Sequence, residues 1–281
     1  TVVDRKLSDE CWQYIRNIDD YTCYVATYEE AQRFLTELAS QLRTFDLPLN
    51  HKKTKIDELP IASTKHWVRQ LNSFDFISSY GKVNYKKVQA YLDLAVGLMS
   101  ANENNAAILN YAIKVLAKQE LTKNASQYCL RTLQHFAVIY PYLIPLLDEY
   151  VFKPFGACSE DIEQFSNIIF NEALKDNNYE ALIYAIYFSL KYNFDLQEIS
   201  SEKAIYEDSC LLKCFVWCYY NKRNDKTAIR ALKDHAKQLR DTAMDEYWLF
   251  VYEALPKTEL KGDWKPLKGD GVSFIREEFK K

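Results

Sequence analysis

Residues 12–25 read Trp12-Gln13-Tyr14-Ile15-Arg16-Asn17-Ile18-Asp19-Asp20-Tyr21-Thr22-Cys23-Tyr24-Val25, two runs of aromatic and β-branched residues around an acidic pair. Side chains of this kind suit a pleated, half-buried surface, and a tight turn fits at the aspartates. The stretch therefore predicts a β-hairpin with Asp19 and Asp20 at its tip. Paired carboxylates there supply hard oxygen ligands for a divalent cation; an ordinary Asp-rich turn is the alternative.

The residues that follow change the period. Thr27-Tyr28-Glu29-Glu30 has the form of a capping box, with Thr at the N-cap and Glu three residues on. Ala31, Phe34, Leu35, Leu38, Leu42 and Phe45 recur at helical spacing, which predicts an amphipathic helix over 27–45. Leu47-Pro48-Leu49-Asn50 ends it. His51-Lys52-Lys53-Thr54-Lys55-Ile56 then reads as a basic extended strand.

Hairpin with Asp-Asp, helix and Leu-x-Leu-Asn-x-Lys-Lys-Thr strand, in that order, resembles the second half of a reverse transcriptase palm. Ile18-Asp19-Asp20 matches the family's aromatic-x-Asp-Asp motif, with Arg16 upstream as in many bacterial members, and Lys53 matches the downstream lysine. The resemblance implies that Asp19 and Asp20 hold catalytic Mg²⁺ (or Mn²⁺) and that Lys53 acts on the phosphates of a deoxynucleotide. Two-metal phosphoryl transfer requires such carboxylates, and a lysine can neutralise or protonate the leaving pyrophosphate. It also implies that Arg16, Lys52, Lys55, Lys65 and Arg69 touch primer–template or DNA product. Two departures stand out. Asn17 occupies the usual aromatic position, and the family's third metal-binding aspartate belongs to an upstream part of the palm, with the fingers. The chain is thus expected to be a C-terminal portion that does not polymerise alone.

Of 281 residues, 48% are hydrophobic and 27% charged, enough for a buried core. With a formal charge of −3 there is no global attraction to polyanions. Residues 51–100 nevertheless carry eight Lys or Arg against four Asp or Glu, a local excess suited to phosphates. Seven cysteines without a CxxC pair, and no apolar leader, predict free thiols in a cytoplasmic setting. No stretch approaches a membrane span.

Residues 59–100 read as a connector and thumb-like helices, including a helix over 64–74 and a loop at 78–81. Trp67 on that helix is offered either to the primer strand or to the core. From residue 101 apolar stripes follow one another at 12–20-residue intervals, broken by Asn, Asp, Ser or Pro. These predict helices over 159–174, 177–192, 201–220, 227–239 and 243–255, and another reaching Phe152 ahead of Pro154. Asn124 and Ser126 are candidate caps. The fold class expected is mainly α. A small α/β palm remnant (residues 1–58) precedes an α-helical HEAT-like repeat array or bundle (101–281). Bacterial retron and abortive-infection reverse transcriptases have a similar order of domains, and this resemblance implies a role in phage defence and a helical scaffold that supports homo-oligomers. A non-catalytic helical-repeat adaptor for a protein or RNA is the competing function.

Other constellations carry less. Cys210, Cys214 and Cys218 recur every fourth residue and extend over ~12 Å of helix, too far to converge on one ion, so they read as core. His51, His66, His135 and His235 lack ligand spacing; His135, beside Phe136, reads as a core or interface residue. With six glycines there is no phosphate loop. The turn-rich tail, residues 261–271, is expected to be loosely ordered unless Trp264 pins it.

Overall fold

The computed structural model describes residues 2–76 and 81–279. It divides into two compact units, Thr1–Lys65 and His66–Lys281. The boundary lies seven residues beyond the expected end of the palm remnant.

In the first unit, α1 (Val2–Asp9) precedes β1 (Tyr14–Asn17), β2 (Asp20–Cys23) and α2 (Tyr28–Arg43). The strands pair antiparallel, Tyr14 with Cys23 through Asn17 with Asp20, so the expected hairpin forms, with its turn at Ile18 and Asp19 and with Asp20 already in β2 rather than in the turn. The capping box forms in full: Thr27 Oγ1 accepts from the Glu30 amide at 3.2 Å, and Glu30 Oε2 accepts from the Thr27 amide at 3.3 Å. Val3, Leu7, Phe34 and Leu38 make the buried core, with Trp12, Tyr14, Tyr21, Cys23, Leu42 and Leu49 packed around it. Trp12 meets Phe34 edge-on at 5.3 Å and donates from Nε1 to Glu37 Oε2 at 3.0 Å.

The strand expected over 51–56 does not form; the sheet has two strands among the described residues. Asn50 turns the chain instead. Its side-chain oxygen accepts from the Lys52 amide at 3.1 Å, and its carbonyl from the Lys53 and Thr54 amides at 2.9 Å each. With no apolar alternation to bury, nothing opposes this local bonding.

The second unit is helical. It contains α3 (His66–Asn72), α4 (Tyr85–Ala101), α5 (Ala106–Leu116), α6 (Lys123–Ile139), α7 (Ile144–Leu147) and α8 (Lys153–Phe155). The series continues with α9 (Ser159–Asp176), α10 (Tyr179–Tyr192), α11 (Ser201–Tyr206), α12 (Cys210–Lys222), α13 (Lys226–Thr242), α14 (Met244–Ala254) and α15 (Trp264–Gly269). Helices pack chiefly on the next and the next but one: α3 on α4 and α5, α4 on α5 and α6, α10 on α9 and α12, α14 on α12 and α13. One continuous apolar core runs from Trp67 to Leu260, so the division expected at residue 100 does not divide the core. A parallel bridge between Val83 and Leu121 ties the entry of α4 to that of α6. The loop expected at 78–81 lies, but for Gly81, outside the described residues.

Four boundaries differ from expectation for local reasons. The cap of α6 is Thr122, whose hydroxyl accepts from the Ala125 amide at 3.4 Å, rather than Asn124 or Ser126. Pro154 does not stop the helix ahead of it. A π-helical segment, Asp148–Phe152, joins α7 to α8, and Gly156 at φ +68° makes the exit. Such a turn widens the helix, so the missing proline amide disrupts less. The helix expected over 201–220 is two helices, because Ser200 and Ser209 each cap a new start. Lys213 closes the first of these. Buried on α12, it donates to the carbonyls of Ala204 at 2.9 Å, Ile205 at 2.7 Å and Glu207 at 2.5 Å. Finally, the tail is held: Trp264 stacks on Trp248 at 5.4 Å, and Glu253 Oε1 accepts from the Ser273 hydroxyl and the Phe274 amide. No helix among the described residues is long and apolar enough to cross a membrane.

Candidate functional site

The hairpin that carries the acidic pair turns in two residues, Ile18 and Asp19, between the closing pair Asn17 and Asp20. Two-residue hairpin loops require positive φ, a conformation suited to Gly, Asn or Asp. Here Ile18 takes it, at φ +57°, although it is β-branched. Its side chain is 83% exposed, so no burial compensates the backbone. Strain of this kind costs ~1–3 kcal/mol and concentrates at functional sites.

Arg16 holds the turn in place. Its Nε donates to the Ile18 carbonyl at 2.7 Å, Nη1 pairs with Asp4 Oδ2 at 2.6 Å, and the guanidinium lies 5.2 Å from the Tyr21 ring across the hairpin. The arginine expected to touch nucleic acid is thus engaged with α1 and the turn. Tyr14 completes the brace by donating from its hydroxyl toward Asp4 Oδ1 at 3.2 Å.

Asp19 and Asp20 stand exposed at the tip, with no hydrogen-bond or ion-pair partner among the described residues. Adjacent carboxylates suit Mg²⁺, which takes one or two from a protein and completes its shell with water and phosphate oxygens. Among the described residues no group of three His, Cys, Asp or Glu side chains gathers as a metal site.

The lysines do not converge on them. Lys52 and Lys53 sit in the Asn50 turn, exposed, and Lys55 pairs with Asp57. Lys65 is exposed at the end of the first unit. Arg69 is exposed on α3, whose opposite face buries Trp67 and Leu71; Trp67 meets Tyr111 edge-on at 5.6 Å and belongs to the core. Beside β1 an open depression of about 700 Å³ is walled by Asp4, Ser8, Trp12, Tyr14, Arg16 and Tyr24, among others, and not by Asp19, Asp20 or Lys53.

In the second unit the cysteine stripe is structural. Cys214 and Cys218 are buried, and the hydrogen bond between them, with burial, pushes the Cys214 thiol well up. A thiol so raised is protonated and inert at neutral pH. His135 is exposed, contrary to its reading as a core residue, because α6 turns Leu133 and Ala137 inward and His135 outward. His235, half-buried, lies 6.2 Å from Phe250, and burial followed by the Lys213 charge lowers its pKa. Buried Lys213 escaped sequence reading; its one signal is a lysine inside the apolar run Leu211-Leu212-Lys213-Cys214-Phe215.

In comparisons with known proteins, no family model, no curated protein and no solved structure matches this chain.

Proposed function

We propose that the chain is the C-terminal portion of an RNA-directed, or untemplated, DNA polymerase of the reverse transcriptase family, acting in defence against phage. The observation that carries this is the hairpin tip, where a strained two-residue turn presents two adjacent carboxylates that no other side chain among the described residues neutralises. A plain Asp-rich turn needs no β-branched residue at positive φ. A turn that must project Asp19 and Asp20 at fixed height tolerates the strain because Arg16, Asp4 and Tyr14 brace it.

In this reading Asp19 and Asp20 hold Mg²⁺, which supplies charge stabilisation for nucleotidyl transfer. Their exposure leaves the carboxylate oxygens open to a nucleotide and to a third carboxylate, which the family resemblance places upstream. Lys53, exposed on the Asn50 turn and with its ammonium in no ion pair or hydrogen bond among the described residues, is free to reach phosphate oxygens as a mobile point charge. The helical unit serves as thumb and HEAT-like scaffold; contacts limited mainly to the next and next-but-one helix support an array over a closed bundle.

Labelled deoxynucleotide incorporation tests the proposal, using the chain extended upstream through a full palm, in Mg²⁺ and in Mn²⁺. Asp19→Ala is expected to abolish incorporation, a loss of at least about 10³-fold given the role of metal-held charge. Incorporation that survives Asp19→Ala overturns the assignment of the hairpin. A folded, extended chain that incorporates nothing on any template favours the helical adaptor instead.

A further inference from the structure

A second concavity, in the helical unit, has a different chemistry from the hairpin. The π-helical segment, α10 and α12 enclose a half-open groove of about 710 Å³, within the range of ligand sites. Its floor is apolar and aromatic: Ile183, Tyr184 and Tyr187 from α10, and Leu211 and Phe215 one turn apart on α12. The Tyr184 and Tyr187 rings stand at 84° to one another, centroids 6.2 Å apart, two walls of a corner. Leu211 is 45% exposed, an unusual position for a leucine flanked by a buried helix face.

The rim is acidic. Asp148 is already neutralised, since it accepts from Lys191, from the Tyr192 hydroxyl at 2.5 Å and from the Tyr187 hydroxyl at 3.2 Å. Glu149 and Glu180 are exposed and have no ion-pair or hydrogen-bond partner among the described residues, and no basic side chain lines the groove. Lys191 already stands over the Tyr187 ring at 5.4 Å, so the attraction for a further cation comes from Glu149 and Glu180, while the apolar floor takes its hydrocarbon; together they favour a cation with an apolar body.

We propose that this groove docks a peptide segment of a protein partner in which arginine or lysine alternates with aliphatic residues. A free polyamine fits less well. Its charges repeat every few methylenes and would lie over Ile183, Leu211 and Phe215, where no carboxylate meets them. An alternating peptide sets its cations against Glu149 and Glu180 and its aliphatic side chains on the floor.

The test is fluorescence anisotropy with the whole 281-residue chain and a labelled Leu-Arg-Leu-Arg-Leu-Lys peptide. Glu149→Lys with Glu180→Lys is expected to weaken binding by about tenfold or more, and the affinity of the native protein, not that of this variant, is expected to fall as salt rises. Leu211→Ser, which removes the apolar contact without adding charge, is expected to weaken it about fivefold. Glu202→Lys, an exposed change on α11, is expected to leave it unaltered, and circular dichroism verifies that all variants keep their helices. The proposal is overturned by absence of binding at about 1 mM peptide, or by affinity that ignores the groove substitutions. Equal binding of Gly-Arg-Gly-Arg-Gly-Lys would reduce the site to bare charge, and displacement by equimolar spermidine would make it a polyamine site; either result rejects the peptide.

Discussion

Ile18 concentrates the chemistry of the hairpin in one backbone angle. At φ +57° with its side chain in solvent, it has a conformation that glycine would adopt without strain. The penalty for a β-branched residue there is ~1–3 kcal/mol, and a glycine returns ~0.5–1 kcal/mol of it as added freedom of the unfolded chain. Ile18→Gly is therefore expected to stabilise the first unit by about 1 kcal/mol in urea denaturation followed at the hairpin. Destabilisation would show that the isoleucine makes contacts that outweigh its backbone. If the proposed function holds, the same substitution in a chain extended through a full palm should lower incorporation while raising stability, since a looser turn places Asp19 and Asp20 less firmly.

Among the elements, the π-helical segment between α7 and α8 shows how a local irregularity is secured. Asp148 opens that segment and reaches α10 through Tyr187, Lys191 and Tyr192. Burial alone would raise the Asp148 carboxyl, but hydrogen bonds from Lys191 and Tyr192 outweigh it, and the net direction is below the ordinary 3.8. A depressed folded value means that the unfolded chain binds the proton more tightly. The contribution is then fully present above the ordinary value and disappears as pH falls through the folded one. Asp148→Asn is expected to cost about 1–3 kcal/mol at neutral pH, and the gap from the native protein should narrow as pH falls below the ordinary carboxyl value of 3.8. A gap that stays constant with pH would mean that the segment is held by packing and not by this charge.

The same scale shows what the sequence makes legible. The capping box, the hairpin alternation and the apolar stripes of α4, α5, α9, α10 and α13 follow from local periods, and the elements lie where those periods put them. The break between α11 and α12 does not follow from period, because the apolar stripe continues through it while Ser209 and Lys213 satisfy the backbone groups that the break exposes. The strand missing over 51–56 is the converse case: polar residues carry no burial to hold an extended chain against Asn50's turn. For the candidate site, the positions of Asp19 and Asp20 at the tip were legible. The brace by Arg16 and Asp4 was not, since α1 gave no sequence signal and the contact joins residues twelve apart.

Taken as a whole, the molecule is two units of unequal security. The first rests on four buried side chains around one hairpin and two helices. The second has a continuous core over most of its helices, reinforced by aromatic pairs and by a tail clasped through Trp264 and Glu253. Domains below about 80 residues seldom accumulate more than a few kcal/mol from such a core, so the hairpin and α2 should open well before α10, α12 and α14. Native-state hydrogen exchange reads this directly, because local opening free energies set the protection of each amide. Amides of β1, β2 and α2 are expected to exchange at least about 100-fold faster than those of α10 and α12, a difference of ~2.7 kcal/mol. Low urea should erase the first set without touching the second. Equal protection in both units would mean that something beyond its own core stabilises the first. Under the proposed function that something is the rest of a palm, so a chain extended upstream through a full palm should exchange more slowly at the hairpin and unchanged at α10. On that proposal the acidic tip becomes rigid only where the third carboxylate is present, which would tie the order of the site to its competence.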